Sequence, residues 1–414
     1  MSGTATRLRG SLSAAHNRDY RAVWIGQSAS KLGTGAYVIA MAWTVFALTH
    51  STIDLSINMV AFMVPQLLLV LFGGVIGDRL SRRAVILWCD TLGAVVTSAL
   101  LVLALVHWLH FSEIVAASAL LGAIAAVYGP AYRAILTDIL PADDLTSGNA
   151  LSAGSLNVTR IVGPLLGGLL YSLAGITLPL TVDAVSFIIA VVTMASVQLP
   201  PRQMKVKATV WSDVKEGALY CMRSRLLHYI IVLSIVANTL VIAPVAVLLP
   251  AIVRHLHGGS LTLGVLTAVQ ALVTVVVAVI LPAAERRGYR LGVLVLFYTA
   301  LGAGGLLLGV AASVPLAIVG CGALGVGYAM EVIENTMIQR EIPAEMMSRT
   351  FSVMLLVSFS LLPLGYLLAG LAASAWGAPV TIEVGAVGAL ATCGLMSLPL
   401  LRRHEQVTGA ASKK

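Results

Sequence analysis

GGVIGDRLSRRAVIL, residues 73–87, packs Asp78, Arg79, Arg82 and Arg83 into six positions between strongly apolar flanks. The flanks, about 55–77 and 84–106, are each long enough to cross a hydrocarbon core of about 30 Å as a helix. The charged hexapeptide then becomes the turn between two spans. Everything else in the sequence fits that reading. Of 414 residues, 58% are hydrophobic and only 11% charged, with a mean hydropathy of +0.95. A water-soluble domain needs far more polar surface to cover its core. Segments of about 10 residues with alternating polarity, the mark of a membrane β-barrel, are not found.

Twelve spans are predicted, at about 22–47, 55–77, 84–106, 113–133, 147–173, 177–198, 227–253, 261–283, 291–312, 315–338, 350–375 and 378–401. Their connections alternate between two sides. One side carries 23 of the 26 Lys and Arg, the other only Arg254, and Lys31 and Arg160 fall inside spans. This asymmetry is the positive-inside signature and predicts a multi-pass membrane protein with both termini cytoplasmic. The net charge of +8 then faces anionic lipid, and nothing calls for nucleic acid. The four cysteines show no paired spacing, which argues against a disulfide framework or a zinc site. Five histidines fall in the opposite loops and are expected to be interfacial polar residues rather than metal ligands. No cofactor is expected. GCGALGVG (320–327) lies within an apolar run and lacks the Lys-Ser/Thr ending of a phosphate loop.

The two halves of the chain match. DRLSRR (78–83) reappears as ERRGYR (285–290), ILPADD (139–144) as EIPAEM (341–346), and PLTVD (179–183) as PVTIE (379–383). The order is conserved and the offset drifts slowly, from 207 to 200. A duplicated six-helix unit is a transporter architecture. The domains expected are an N-terminal bundle at 1–199, a linker at 200–225 with an amphipathic helix on the inner surface, and a C-terminal bundle at 226–414.

With these residues in place, the chain resembles the major facilitator superfamily over essentially its whole length. The family's Gly-x-x-x-Asp-Arg-x-Gly-Arg-Arg loop is similar to Gly74, Asp78, Arg79, Arg82 and Arg83, with Ser81 at the second glycine. Glu285 and Arg286 are the echo in the second half. The antiporter motif of the fifth span is similar to Gly163, Pro164, Gly167 and Gly168. NRDYRAVWIGQSASKLG (17–33), YGPAYRAILTDILP (128–141), DAVSF (183–187) and DVKEGALYCMRS (213–224) resemble the branch with the enterobactin exporter and the macrolide and tetracycline efflux pumps. That branch commonly has an acid where this chain has Thr34.

The resemblance implies two six-helix bundles around a central cavity and proton-coupled efflux of small amphipathic compounds, drug-like molecules or siderophores, by a monomer. The same fold moving an anionic lipid or lysophospholipid is the alternative. A membrane enzyme acting on a lipid-linked substrate is a remote one, since the loops opposite the basic side are only a few residues long. Asp78 can act as a gate latch, because an acid is not needed to mark topology. Glu331 and Glu334, one turn apart on the tenth span, suit a proton carrier, as does Asp90, which is also a candidate ion-pair partner for Arg160. Intramembrane charges are functional candidates by default, so Lys31 and Arg160 join the expected substrate cavity. Met59, Met63, Gln66, Asn157, Asn238, Gln270 and Asn335 complete it. Asp183 and its repeat equivalent Glu383 are expected to hydrogen-bond between helices.

Overall fold

The computed structural model describes residues 13–79, 81–197, 218–284, 291–343 and 346–411. Twelve helices among them are long and apolar enough to cross a membrane, and the described residues contain no strand. In chain order they are α1 (Arg18–Thr49), α2 (Thr52–Arg79), α3 (Arg82–Leu105), α4 (Phe111–Ile139), α5 (Leu145–Ala174) and α6 (Thr177–Ala195). Next come α7 (Arg225–Ala237 and Ala243–His255, joined through Asn238–Ile242), α8 (Ser260–Ala284) and α9 (Leu291–Gly309). The last three are α10 (Val314–Tyr328 and Met330–Glu341), α11 (Met347–Ser360 and Leu362–Trp376) and α12 (Ala378–Ala411). The chain divides into two compact units, Met1–Lys207 with Gly258–Ala268, and Ala208–His257 with Val269–Lys414.

The packing of α3 shows how a membrane helix is specified. Ile86, Cys89, Asp90, Gly93, Thr97, Leu100 and Ala104 are buried and recur every three or four residues. Trp88, Leu92, Val95 and Val102 recur with the same spacing on the other face and are exposed. Both faces are apolar because lipid, unlike water, imposes no polarity difference, so close fit rather than hydrophobicity selects the inner face. The inner face accordingly has the small residues. In the first unit α1 packs on α5 and α6, α3 on α4 and α6, and α2 on α4. In the second, α7 packs on α11 and α12, and α9 on α10 and α12. The same neighbours recur half a chain apart, as the sequence repeats predict.

Two glycines illustrate the close approach. A Cβ on Gly122 of α4 would stand 1.9 Å from the Phe62 carbonyl oxygen of α2, and one on Gly304 of α9 would stand 2.4 Å from the Leu324 amide of α10. Helix ends opposite the basic loops use a different device. His50, His107 and His257 all have positive φ, between 52° and 57°, where the chain turns out of α1, α3 and α7. His50 and His257 are separated by 207 residues, the offset of the DRLSRR repeat. The histidines of these loops thus act first as turn residues in a conformation that favours glycine.

Three helices of the second unit, α7, α10 and α11, are discontinuous. Pro244 cannot donate to the Leu240 carbonyl, and the π-turn Asn238–Ile242 takes up the disturbance just before it. Leu240 O is instead approached by Gly385 of α12, where an added Cβ would lie at 2.1 Å. α11 breaks at Leu361 ahead of Pro363, and α10 breaks at Ala329 with no proline nearby.

Substituting Gly122 by Ala should cost about 1–3 kcal/mol through overpacking against α2, read as a lower thermal midpoint in detergent. Gly129→Ala, where an added Cβ meets nothing within 4 Å, should be neutral. Conversely, His257→Gly should relieve the left-handed turn and stabilise by about 1 kcal/mol.

Candidate functional site

At the basic end of the first unit the arginines of the opening hexapeptide tie helices together. Arg82, in the first turn of α3, donates from Nη1 to Asp138 Oδ1 at 2.9 Å, to Ala134 O at 2.6 Å and to Thr137 Oγ1 at 3.3 Å. Arg83 donates from Nη2 to Ala195 O at 2.7 Å and from Nε to Met194 O at 3.4 Å. Each guanidinium thus sits at the C-terminal turns of a neighbouring helix, α4 or α6, where the macrodipole favours a cation. Gly74, Asp78 and Arg79 belong to the last turns of α2, and their side chains lie outside the described residues, as do Glu285 and Arg286 and residues 200–217 of the linker. The described end of the linker is anchored: Tyr220 Oη donates to Glu341 O at 3.1 Å, and Ser224 Oγ to Glu341 Oε1 at 3.0 Å.

From that end α1 runs inward with a polar seam spaced three and four residues apart. Asn17 caps α1 by accepting from Tyr20 N and donates to Ile139 O at 3.3 Å. Tyr20 Oη donates to Gly148 O at 2.7 Å, and Trp24 Nε1 to Leu151 O at 3.3 Å. Gln27 Nε2 donates to Asp90 Oδ2 at 3.2 Å, and Thr34 Oγ1 to Asp183 Oδ1 at 3.2 Å. Between those two, Lys31 Nζ stands 4.5 Å over the ring of Tyr132, which stacks on Tyr128. One 3.5-residue repeat therefore connects α1 to α4, α5, α3, α4 again and α6 in that order. Asp90 is held by an amide rather than by Arg160, and among the described residues no ion pair joins them. Asp183 makes its interhelical bond through Oδ1, and its Oδ2 is buried without a partner. Thr34, the departure from the family's acid, is the donor to it.

Gly163-Pro164-Leu165-Leu166-Gly167-Gly168 lies in α5 with two faces in use. A Cβ on Gly163 would approach Gly35 Cα to 3.0 Å, and one on Gly167 would meet Ala36 O at 2.3 Å. Gly168 and Pro164 instead face the start of α8: Ser260 Oγ donates to Gly168 O at 3.0 Å, and a Cβ on Gly264 would meet Pro164 O at 2.5 Å. Along the other side of the α1–α5 pair runs a cleft of about 620 Å³, walled chiefly by Trp24, Ser28, Leu32, Leu151, Gly154 and Val158.

In the second unit Glu334 of α10 is gripped by two hydroxyls. Ser234 of α7 donates to Oε1 at 3.0 Å, Tyr298 of α9 donates to the same oxygen, and the two hydroxyls also contact each other. Glu331, one turn earlier, is exposed. Asn238 is buried and donates to Ser358 O at 3.0 Å, joining the π-turn of α7 to α11 just before its break. Met59, Met63 and Gln66 share one face of α2, and these three, with Asn157, Gln270 and Asn335, are half-buried. Sequence reasoning missed Tyr132, Ser234, Tyr298 and Asp138. The YGPAYRA stretch and the three-and-four spacing of polar residues along α1 were the available signals for the first. The described residues hold no cluster of three or more His, Cys, Asp or Glu that could bind a metal.

Twelve apolar helices in two repeated units, with carboxylates buried along them, define a membrane transporter of the major facilitator fold. The family described as transmembrane secretion effector matches residues 9–414, and the chain belongs to it. It is a transporter and not an enzyme. The chain is 28% identical over 393 residues to multidrug efflux pump Tap of Mycobacterium tuberculosis, covering 89% of this chain and 91% of that one. It is 24% identical over 197 residues to macrolide efflux protein A of Streptococcus pyogenes, covering 47% and 48%. The crystal structure of the nucleoside transporter NupG superposes with a TM-score of 0.71 at 11% identity, over 91% of this chain and 98% of that chain, a likeness of fold.

Arg82→Gln should lower stability by about 1.5–3 kcal/mol, since charge-assisted bonds to the end of α4 are lost together. Thermal unfolding in detergent measures it. A midpoint equal to that of the unmodified protein would reduce Arg82 to a marker of topology.

Proposed function

We propose that this chain exports small amphipathic organic compounds across a bacterial inner membrane in exchange for protons, as a monomer with both termini in the cytoplasm. Its working bodies are the bundles at 1–199 and 226–414, joined by the linker at 200–225 and working by alternating access. The relatives' names support efflux, and the basic-loop asymmetry supports the orientation.

The observation that carries the coupling is Glu334. A carboxylate in a membrane helix has to be neutralised by a cation or by a proton. The partners of Glu334 are the hydroxyls of Ser234 and Tyr298, which hydrogen-bond either form of the acid and supply no charge. Glu334 is therefore the proton carrier, and exposed Glu331 the group that exchanges protons with its surroundings. α7, α9 and α10 all contribute to this site, and α7 and α10 are both interrupted within two turns of it. A change in the protonation of Glu334 is thus delivered to helices already broken at the π-turn and at Ala329. Asp78 and its echo Glu285 are the latch acids at the basic ends, and the α5 glycine face is the seam that seals against α8.

The second reading, the same fold moving an anionic lipid or lysophospholipid, is favoured by Lys31 and Arg160, the cations inside the spans.

Inverted vesicles with an imposed proton gradient test the assignment. Glu334→Gln should abolish gradient-driven transport of a dye such as ethidium while leaving substrate exchange without a gradient intact. Glu331→Gln should slow the driven rate without removing it. Full coupling in Glu334→Gln would remove the carrier role.

A further inference from the structure

The three interruptions of the second unit lie at one level. Ser234 of α7 donates to Glu334 of α10; α7 is interrupted four residues past the first, at Asn238, and α10 five past the second, at Ala329. Asn238 in turn donates to Ser358 O, three residues short of Leu361, where α11 breaks. On the basic-loop side of that level lie three short segments, Arg225–Ala237, Met330–Glu341 and Met347–Ser360. The first and third pack on each other. Their basic-loop ends are held by one piece of linker, 218–224. Tyr220 and Ser224 both bond Glu341 at the end of α10, and Ser224 also caps α7 by accepting from Leu227 N at 3.4 Å. The buried Cys221 Sγ lies 3.9 Å from Thr350 O in the first turn of α11. The segments are thus fastened to one another at both ends. By contrast, α9 and α12 run unbroken past the same level. Two side-chain links cross to them: Tyr298 of α9 bonds Glu334 and Ser234, and Tyr229 of α7 bonds Met396 O of α12.

We propose that these three segments and 218–224 move as one body, hinged at Asn238–Ile242, Ala329 and Leu361, and that its tilt against α9 opens and closes Glu334 to the basic-loop side. A helix bends where its hydrogen-bond ladder is interrupted. One interruption gives a kink, and three at one level give a hinge line. The segments are 12 to 14 residues long. At 1.5 Å per residue the body is about 20 Å deep, so a tilt of about 15° moves its basic end by about 5 Å. Glu334 stands at the junction of the body with α9, on the basic-loop side of the hinge, so a tilt that parts it from Tyr298 also uncovers it there. The titratable groups around it are Tyr298, Cys393 of α12 beside that tyrosine, and Glu331 of its own helix, and α7 presents the neutral Ser234. The ionised acid, costly to bury, favours the uncovered position, and the neutral acid favours the closed one. All this rests on Glu334 as the proton carrier and adds how access to that acid alternates.

Pulsed electron paramagnetic resonance on the full chain in phosphatidylcholine nanodiscs tests this, with pairs of spin labels at exposed positions of proteins that still transport ethidium. Val232 paired with Gln339 and with Phe359 reports within the body. Gln339 with Leu296 of α9, and Phe359 with Leu395 of α12, report across its edge. Between mildly alkaline and mildly acidic pH, and on adding ethidium, the pairs across the edge should change by several ångströms while the pairs within it hold. Glu334→Gln should show the acidic-pH distances under both conditions. If no pair changes under any condition, the unit moves as a whole and the hinge is overturned. It is overturned equally if pairs within the body change as much as those across its edge. A shift across the edge with ethidium but not with pH would uphold the hinged body and remove Glu334 as the carrier. Loss of gradient-driven transport in Glu334→Gln with every distance constant would leave the carrier standing and the hinge overturned.

Discussion

Hydrocarbon offers no hydrogen bonds, and α1 nevertheless carries Asn17, Tyr20, Trp24, Gln27, Lys31 and Thr34 along one seam. Each of these side chains has to find its partner inside the protein. The first unit is organised by that requirement. The seam repeats every 3.5 residues whereas the helix turns every 3.6, so its direction drifts slowly around α1. The drift carries it from the α4 and α5 ends, past Asp90 on α3, to Asp183 on α6. A helix bonded to four neighbours at successive levels is fixed in rotation as well as position. Apolar packing alone, with both faces equally greasy, specifies rotation much less sharply.

The spans, their number and the duplication were legible because they depend on length, composition and repetition, all one-dimensional properties. The helices observed are longer at several ends than the hydrophobic runs, as in α1, which begins at Arg18 rather than near 22. Polar caps such as Asn17 extend a helix past the apolar run that betrays it. The pairings were much less legible. Arg82 and Arg83 read as charges on a loop, and only the fold brings the ends of α4 and α6 beneath them. Asn238 read as a cavity amide because it is polar within a span, yet the π-turn directs it to Ser358. Glu334 was found from its spacing with Glu331, but Ser234 and Tyr298 lie 100 and 36 residues away in sequence, beyond any local pattern.

Thr34 is the instructive residue. Its place after Leu32-Gly33 is where the resembling branch commonly has an acid, and on sequence grounds the departure weakened any acid site there. In the fold an acid is present after all, but it comes from Asp183 on α6, with Thr34 as its donor. The acid at this level of α1 therefore comes from the neighbouring helix, 149 residues on in sequence, and no local pattern around Thr34 points to it.

The two units have also diverged in how they use their shared plan. In the first, helices are joined by a polar seam and by arginines on helix ends, features that hold one arrangement. In the second, α7, α10 and α11 are each interrupted, and the Glu334 carboxyl of α10 is bonded to α7. At these interruptions neighbouring helices come close: Gly385 lets α12 approach Leu240 O, and the Asn238 side-chain amide donates to Ser358 O. Such contacts can be exchanged at lower cost than an unbroken ladder of i to i−4 bonds. Duplication therefore supplied two copies of one bundle, and the sequence differences between them give the first a side-chain-bonded seam and the second interrupted helices. One helix cannot easily carry both features, since bonds at successive levels fix it in rotation as a unit, whereas an interruption lets its two parts adjust separately.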